Sequence, residues 1–242
     1  MSDKRADSAP VPAAGKSAEV DAFLRQVAAM PAAKPARGGG GRLIFAMDAT
    51  ASREPTWDRA CRLQGEMFEA TAALGRLEVQ LVFYRGFNEC KASRWLSSAP
   101  ALHRAMRAVA CVGGQTQIER VLRHAARAAK EGTVSALVFV GDAMEESLDT
   151  LLGAAGELGL LGVPVFVFHE GGDPIAGRAF KEIARVTRGA YCPFDAASAD
   201  QLKALLGAVA AYAAGGQRAL ADYSERAGGS ALLLARRLGG SG

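Results

Sequence analysis

A doubly wound α/β domain with a mostly parallel six-stranded sheet is the fold this sequence predicts, on three observations. Short runs that are apolar at every position recur along the chain, as in Leu43–Met47 (LIFAM) and Ala136–Val140 (ALVFV). Parallel strands covered on both faces read this way, because neither side of the pleat meets water. Helical patterns separate nearly all of these runs, and one run is followed so closely by another strand that only a hairpin fits.

In chain order, residues 1–41 read as a flexible segment carrying a short amphipathic helix. Val20, Phe23, Leu24 and Val27 fall at i, i+3, i+4 and i+7, one apolar stripe that has to be buried against something. Pro35–Gly41 (PARGGGG) reads as a linker: its glycines precede a strand and no Gly-Lys-Ser/Thr follows them, so they do not spell a phosphate loop. Residues 42–214 then form the α/β domain. Its strands are Leu43–Met47, Val79–Tyr84 (VQLVFY), Ala136–Val140, Val163–Phe168 (VPVFVF) and the weaker Ala190–Phe194 (AYCPF). A more polar strand around Phe87–Ser93 comes after only Arg85–Gly86, too short for a parallel crossover, and should pair antiparallel at the sheet edge. Helices are expected at Thr56–Leu74, Pro100–Val109, Gln117–Lys130, Ser147–Leu161, Pro174–Thr187 and Ala199–Ala213. Gly215–Gly216 should end the domain, leaving a tail, 215–242, with short helices at Gln217–Tyr223 and Ser230–Leu238.

Half of the residues are hydrophobic and 22% charged, enough to build a core and unlike a disordered chain. The formal charge of +4 resides at the ends, since residues 42–214 hold 19 basic and 19 acidic groups. A neutral body lacks the concentrated positive face of a nucleic-acid binder. The N-terminus shows no apolar secretory core and the apolar runs fall well short of the ~20 residues of a membrane span, so a cytoplasmic protein is expected. Cys61, Cys90, Cys111 and Cys192 form no C-x-x-C pair and read as reduced thiols.

In an open α/β sheet the functional site lies beyond the carboxyl ends of the strands, where the winding reverses. Asp48-Ala49-Thr50-Ala51-Ser52 follows the first run, Gly113-Gly114-Gln115-Thr116 precedes a helix, and Gly141-Asp142-Ala143 follows the ALVFV strand. Each has a local alternative. Ser52 reads as a helix N-cap, Thr116 with Glu119 spells a capping box, and Asp142 with Glu145 has the same spacing. Asp48 resists that reading, because a carboxylate ending an apolar strand needs a cation or several donors to offset its desolvation. With strands ordered 3-2-1-4-5-6, Asp48 and Asp142 become neighbours, and two such carboxylates repel unless a cation lies between them. Two carboxylates and three hydroxyls, with no His or Cys, suit Mg²⁺, Mn²⁺ or Ca²⁺ rather than zinc, with a position left for an acidic side chain from another molecule.

These residues resemble the metal-ion-dependent adhesion site (MIDAS) of the von Willebrand factor A (VWA) family, whose pattern is Asp-x-Ser-x-Ser, a distant Thr and a distant Asp. The element order from about 42 to 214 is similar to that Rossmann-like fold. Thr50 stands where the family has its first serine, Gln115 separates the glycines from Thr116, and Ala143 follows Asp142 where glycine is frequent. The resemblance implies that Thr50 and Ser52 ligate a metal directly, that Thr116 joins in one conformational state, and that Asp48 and Asp142 act largely through water. It further implies a protein-binding adaptor rather than an enzyme, of the intracellular bacterial type, with an ATPase or chaperone-like protein as a plausible partner.

The remaining candidates are plainer. Trp57 and Trp95 flank the proposed metal face in sequence and are candidate rim residues, with core packing as the alternative. His103, His124 and His169 have no paired spacing, and Asp173-Pro174 reads as a helix start. No Gly-x-Ser-x-Gly elbow is present. Two other functions stay open: a magnesium-dependent phosphohydrolase of haloacid-dehalogenase type, in which Thr50 would stand where a second carboxylate serves as general acid, and a metal-independent scaffold binding through its terminal helices.

Overall fold

The structure is a computed structural model, and it describes residues 22–31, 40–55, 77–194 and 199–226. The expected helix Thr56–Leu74, with Trp57 and Cys61, the expected tail helix Ser230–Leu238, Val20 and most of the Pro35–Gly41 linker lie outside the described residues.

The strands are β1 (Gly41–Asp48), β2 (Leu77–Arg85), β3 (Glu89–Ala92), β4 (Ala136–Gly141), β5 (Val165–Glu170) and β6 (Ala190–Phe194). They form one six-stranded sheet in the order β3-β2-β1-β4-β5-β6. Only the β2–β3 pair is antiparallel. Winding therefore reverses between β1 and β4, and the carboxyl ends of those two strands sit side by side. The fifth strand starts two residues later than its apolar run. The cause is local: the N–H of Val163 closes the preceding helix by donating to the Leu158 carbonyl, and Pro164 has no N–H to give a ladder.

Alternation along the strands divides the core in two. Leu43, Phe45 and Met47 face one layer, which contains residues 22–28 (α1), Ala99–Arg107 (α2) and the long helical segment Ala199–Arg226 (α6). Ile44 and Ala46 face the other, beneath Ile118–Glu131 (α3), Leu148–Leu161 (α4) and Pro174–Val186 (α5). Asp173 starts α5 as expected, its Oδ1 accepting from the N–H groups of Ile175 and Ala176 at 2.7 Å each.

Residues 22–31 and the α6 segment both contribute to the first layer. Phe23 is buried with its ring 6.0 Å from Phe166 and 5.4 Å from Phe168, and Leu24 and Val27 are buried beside it. The stripe of α1 thus faces the sheet and is not an exposed contact surface. The α6 segment breaks at Gly215 and Gly216, the latter at φ 64°, a left-handed conformation open to glycine without strain. Beyond the break, the Gln217 side-chain amide donates to the Met30 carbonyl at 2.6 Å and to that of Val27 at 3.3 Å. The Tyr212 hydroxyl donates to the Pro31 carbonyl at 2.6 Å. These bonds satisfy carbonyls left over at the end of α1, which a helix terminus otherwise leaves to water. The core therefore draws on residues either side of 42–214.

Removing the Phe23 ring should cost about 3–5 kcal/mol, the usual penalty for an aromatic cavity in a core. Phe23→Ala is thus expected to lower the urea midpoint of unfolding with little change in slope, and a loss below about 1 kcal/mol would show that α1 is not part of the cooperative unit.

Candidate functional site

Asp48 is the last residue of β1 and is fully buried. One carboxylate oxygen accepts the backbone N–H of Thr50 at 2.7 Å, and the other accepts the hydroxyl of Tyr84 at 2.9 Å. Tyr84 is the register partner of Asp48 on β2, so sheet pairing itself delivers the hydroxyl. Burial raises the Asp48 pKa above its ordinary value, and the bonds from Thr50 and Tyr84 oppose that rise. Burial and the adjacent carboxylate hold the Tyr84 hydroxyl well above its usual range, so it remains a donor.

The chain then turns through a short 3₁₀ helix, Ala51–Arg53. Thr50 Oγ1 and Ser52 Oγ lie 3.1 Å apart, with Thr50 buried and Ser52 exposed. The two hydroxyls sit together, and one of them meets solvent.

Thr116 does not form the expected capping box with Glu119. Its Oγ1 accepts the N–H of Glu145 at 3.0 Å, while its own N–H donates to Glu145 Oε2 at 3.0 Å. The start of α3 is capped from another loop: Glu146 accepts from Ile118 and Glu119 N–H groups at 2.8 Å each. A carboxylate there also meets the positive end of the helix dipole. Nor does Asp142 cap α4, whose N-cap is Ser147. The Thr116 loop is fastened to the carboxyl ends of β1 and β2. Val112 N–H donates to the Ala49 carbonyl, and the Gly86 carbonyl receives the N–H of Gln115 and the side chain of Gln117. Gly114 makes this approach feasible, since a Cβ there would lie 2.0 Å from the Gly86 carbonyl oxygen.

Asp142 follows β4, next to the end of β1. Its Oδ1 is buried with no hydrogen-bond partner among the described residues. An acceptor in that condition is costly unless a cation is near. One cation is Arg53, which the sequence reading missed. It is 1% exposed and ion-paired with Glu170, at the end of β5. Burial weakens its hold on its proton, whereas Asp142 and then Asp48 strengthen it. The clue available in the sequence was position: Arg53 directly follows the last hydroxyl of the turn.

The structure thus brings together Asp48, Thr50, Ser52 and Asp142 at adjacent strand ends, with Thr116 on the neighbouring loop. Trp95 is elsewhere. The β2–β3 hairpin carries the chain back to the amino ends of the strands, where Leu96 bridges Val79 and Trp95 lies under the Arg42 guanidinium, 5.0 Å from its ring centre. Asp48 pairs with Tyr84, five residues further along β2; Trp95 is therefore no part of a rim at Asp48. Trp57 lies outside the described residues. His124 bonds Gln80 and His169 bonds Tyr191, both within the fold. Cys90 and Cys111 carry free thiols, with the Cys111 pKa pushed up to about 11 by burial.

Among the described residues no cluster of three or more His, Cys, Asp or Glu side chains is arranged to hold a metal. A metal here would depend on the hydroxyls of Thr50 and Ser52 together with the two carboxylates. Oxygen donors of this kind, an unpartnered buried carboxylate oxygen and one solvent-facing hydroxyl fit a hard divalent cation better than any soft one.

No protein-family model matches this sequence, and no curated protein matches it either. Solved structures do. A von Willebrand factor type A protein from Catenulispora acidiphila is similar over 71% of this chain and 43% of its own, at 15% identity and a TM-score of 0.57. The SpRpn10 VWA domain is similar over 69% of this chain and 94% of its own, at 12% identity and a TM-score of 0.57. The vWF domain of the pilus tip protein Mfa5 from Porphyromonas gingivalis is similar over 74% and 95%, at 11% identity and a TM-score of 0.57. The chain spans less than half the length of the Catenulispora protein. The fold is VWA-like: a Rossmann-type sheet with one antiparallel edge strand and flanking helices.

The raised pKa of Asp48 fixes a pH dependence. A carboxyl group that binds its proton more tightly when folded contributes stability fully present below the unfolded pKa near 3.8, lost as pH rises through the folded value. Asp48→Asn lacks that loss. Its stability relative to wild type should therefore increase between pH 4 and 7 in urea titrations; a constant or falling difference would contradict the assignment.

Proposed function

We propose that this chain is a protein-binding adaptor module in which Asp48, Thr50, Ser52, Thr116 and Asp142 hold a Mg²⁺, with Mn²⁺ or Ca²⁺ as the alternatives, and the cation engages an acidic side chain of a partner. The observation that carries this reading is the juxtaposition at the switch point, where two carboxylates on adjacent strand ends meet a hydroxyl pair 3.1 Å apart. The bound ion would supply a positive charge with a position open to a carboxylate oxygen. The chain's own residues would do the rest. Tyr84 and the Thr50 N–H hold Asp48 in place, Ser52 presents its hydroxyl to solvent, and the Glu145 backbone fixes the Thr116 hydroxyl beside the site.

The same geometry favours binding over catalysis. Thr50 offers no second carboxylate as general acid. We place the module in the cytoplasm, a reading supported by the free thiols of Cys90 and Cys111. No helix among the described residues is long and apolar enough to cross a membrane.

The test is a calorimetric titration of the protein with Mg²⁺ and Mn²⁺ beside Ser52→Ala and Asp142→Ala, with capture of an aspartate-bearing peptide library measured with and without EDTA. Binding in wild type, a loss of tenfold or more in each variant and EDTA-sensitive capture are expected. A folded wild type that binds neither metal would refute the metal-dependent reading.

A further inference from the structure

Arg53 extends from the turn after β1 to an ion pair with Glu170 at the end of β5. In the sheet these strands are not neighbours, because β4 lies between them. With strands about 4.8 Å apart, the Arg53 and Glu170 side chains together span roughly 10 Å of sheet edge, and their ion pair bridges the carboxyl end of β4, where Gly141 leads into Asp142. The guanidinium is sealed from water at 1% exposure, and Glu170 is nearly so. A charge buried in this way is retained only where anions surround it; Glu170 pairs with it directly, and Asp142 and Asp48 add to the field that holds its proton.

We propose that Arg53, paired with Glu170 beside the ends of β1 and β4, is a resident cation that offsets part of the negative charge at Asp48 and Asp142 without a metal, a positioning residue that lowers their affinity for a divalent ion. This rests on the metal-binding reading above and adds to it who competes with the ion. Asp48, Asp142, Glu170 and Arg53 together carry two negative charges. Removing the guanidinium would leave three, a stronger attraction for a divalent cation. A merely structural arginine would give the opposite result, since losing it would loosen the turn and weaken any site built there.

The experiment compares wild type with Arg53→Met and with the double variant Arg53→Met/Glu170→Gln. The double variant removes the ion pair as a unit and avoids stranding a buried glutamate. Mn²⁺ alone is the probe, followed by calorimetry and by melting temperature in Mn²⁺ and in EDTA. Arg53→Met is expected to bind Mn²⁺ at least tenfold more tightly than wild type, whereas the double variant, which again carries two negative charges, should bind it about as wild type does. On adding Mn²⁺, the melting temperature of Arg53→Met should rise by several degrees more than those of wild type and the double variant. Equal or weaker Mn²⁺ binding in folded Arg53→Met, or a double variant that departs from wild type as far as Arg53→Met does, would overturn the role of Arg53 and leave the metal site standing. An absence of Mn²⁺ binding in all three proteins would overturn the metal reading and this inference with it.

Discussion

The carboxylate of Asp48 has no access to water, and the carboxyl edge of the sheet is organised around that fact. An ionised carboxylate moved unassisted into a low-dielectric interior loses solvation worth far more than the net stability of a domain. Three kinds of assistance are present. The Thr50 N–H folds back, the sheet register presents the Tyr84 hydroxyl, and the Arg53 charge sits nearby. Each is set by a different level of structure: a turn, a strand pairing and an ion pair across the end of one strand. Loss of any one leaves the others to hold a buried anion, so the site and the fold share their stability.

Around this point the loops are fastened to one another rather than to their own helices. Glu145 and Glu146, adjacent in sequence, serve Thr116 and the start of α3, both about thirty residues earlier. Movement of the loop after β4 would consequently shift Asp142, Thr116 and the α3 terminus together. On the far layer, α1 and α6 clasp each other through Gln217 and Tyr212 while Phe23 fills the space over β5. One face of the sheet is thus closed by α1 and α6, and the carboxyl edge carries the unusual chemistry.

Much of this was legible in the sequence because parallel strands covered on both sides leave an unbroken apolar signature, and because the short Arg85–Gly86 connection dictated a hairpin. The wedge of oxygen donors was legible too, through the placement of Asp48 and Asp142 at neighbouring strand ends. What misled was local spacing. Thr116 and Glu119 have the separation of a capping box, yet Glu146 reaches the same N–H groups with better geometry from a loop that only tertiary folding brings near. Trp95 lies between the site loops in sequence, but the hairpin returns it to the opposite edge. Arg53 drew no notice because nothing in a one-dimensional pattern reveals an ion pair with a residue 117 positions later, across an intervening strand. The stripe of α1 declared that it must be buried without declaring where.

The central claim is that Asp48, Thr50, Ser52 and Asp142 form one cation site beside the Arg53 guanidinium. Anomalous diffraction from crystals grown with Mn²⁺ addresses it directly. The account predicts a single strong peak bounded by the Thr50 and Ser52 hydroxyls and the Asp142 carboxylate, with Arg53 still paired to Glu170. Ordered side chains with no peak there, or a peak at another part of the molecule alone, would contradict it.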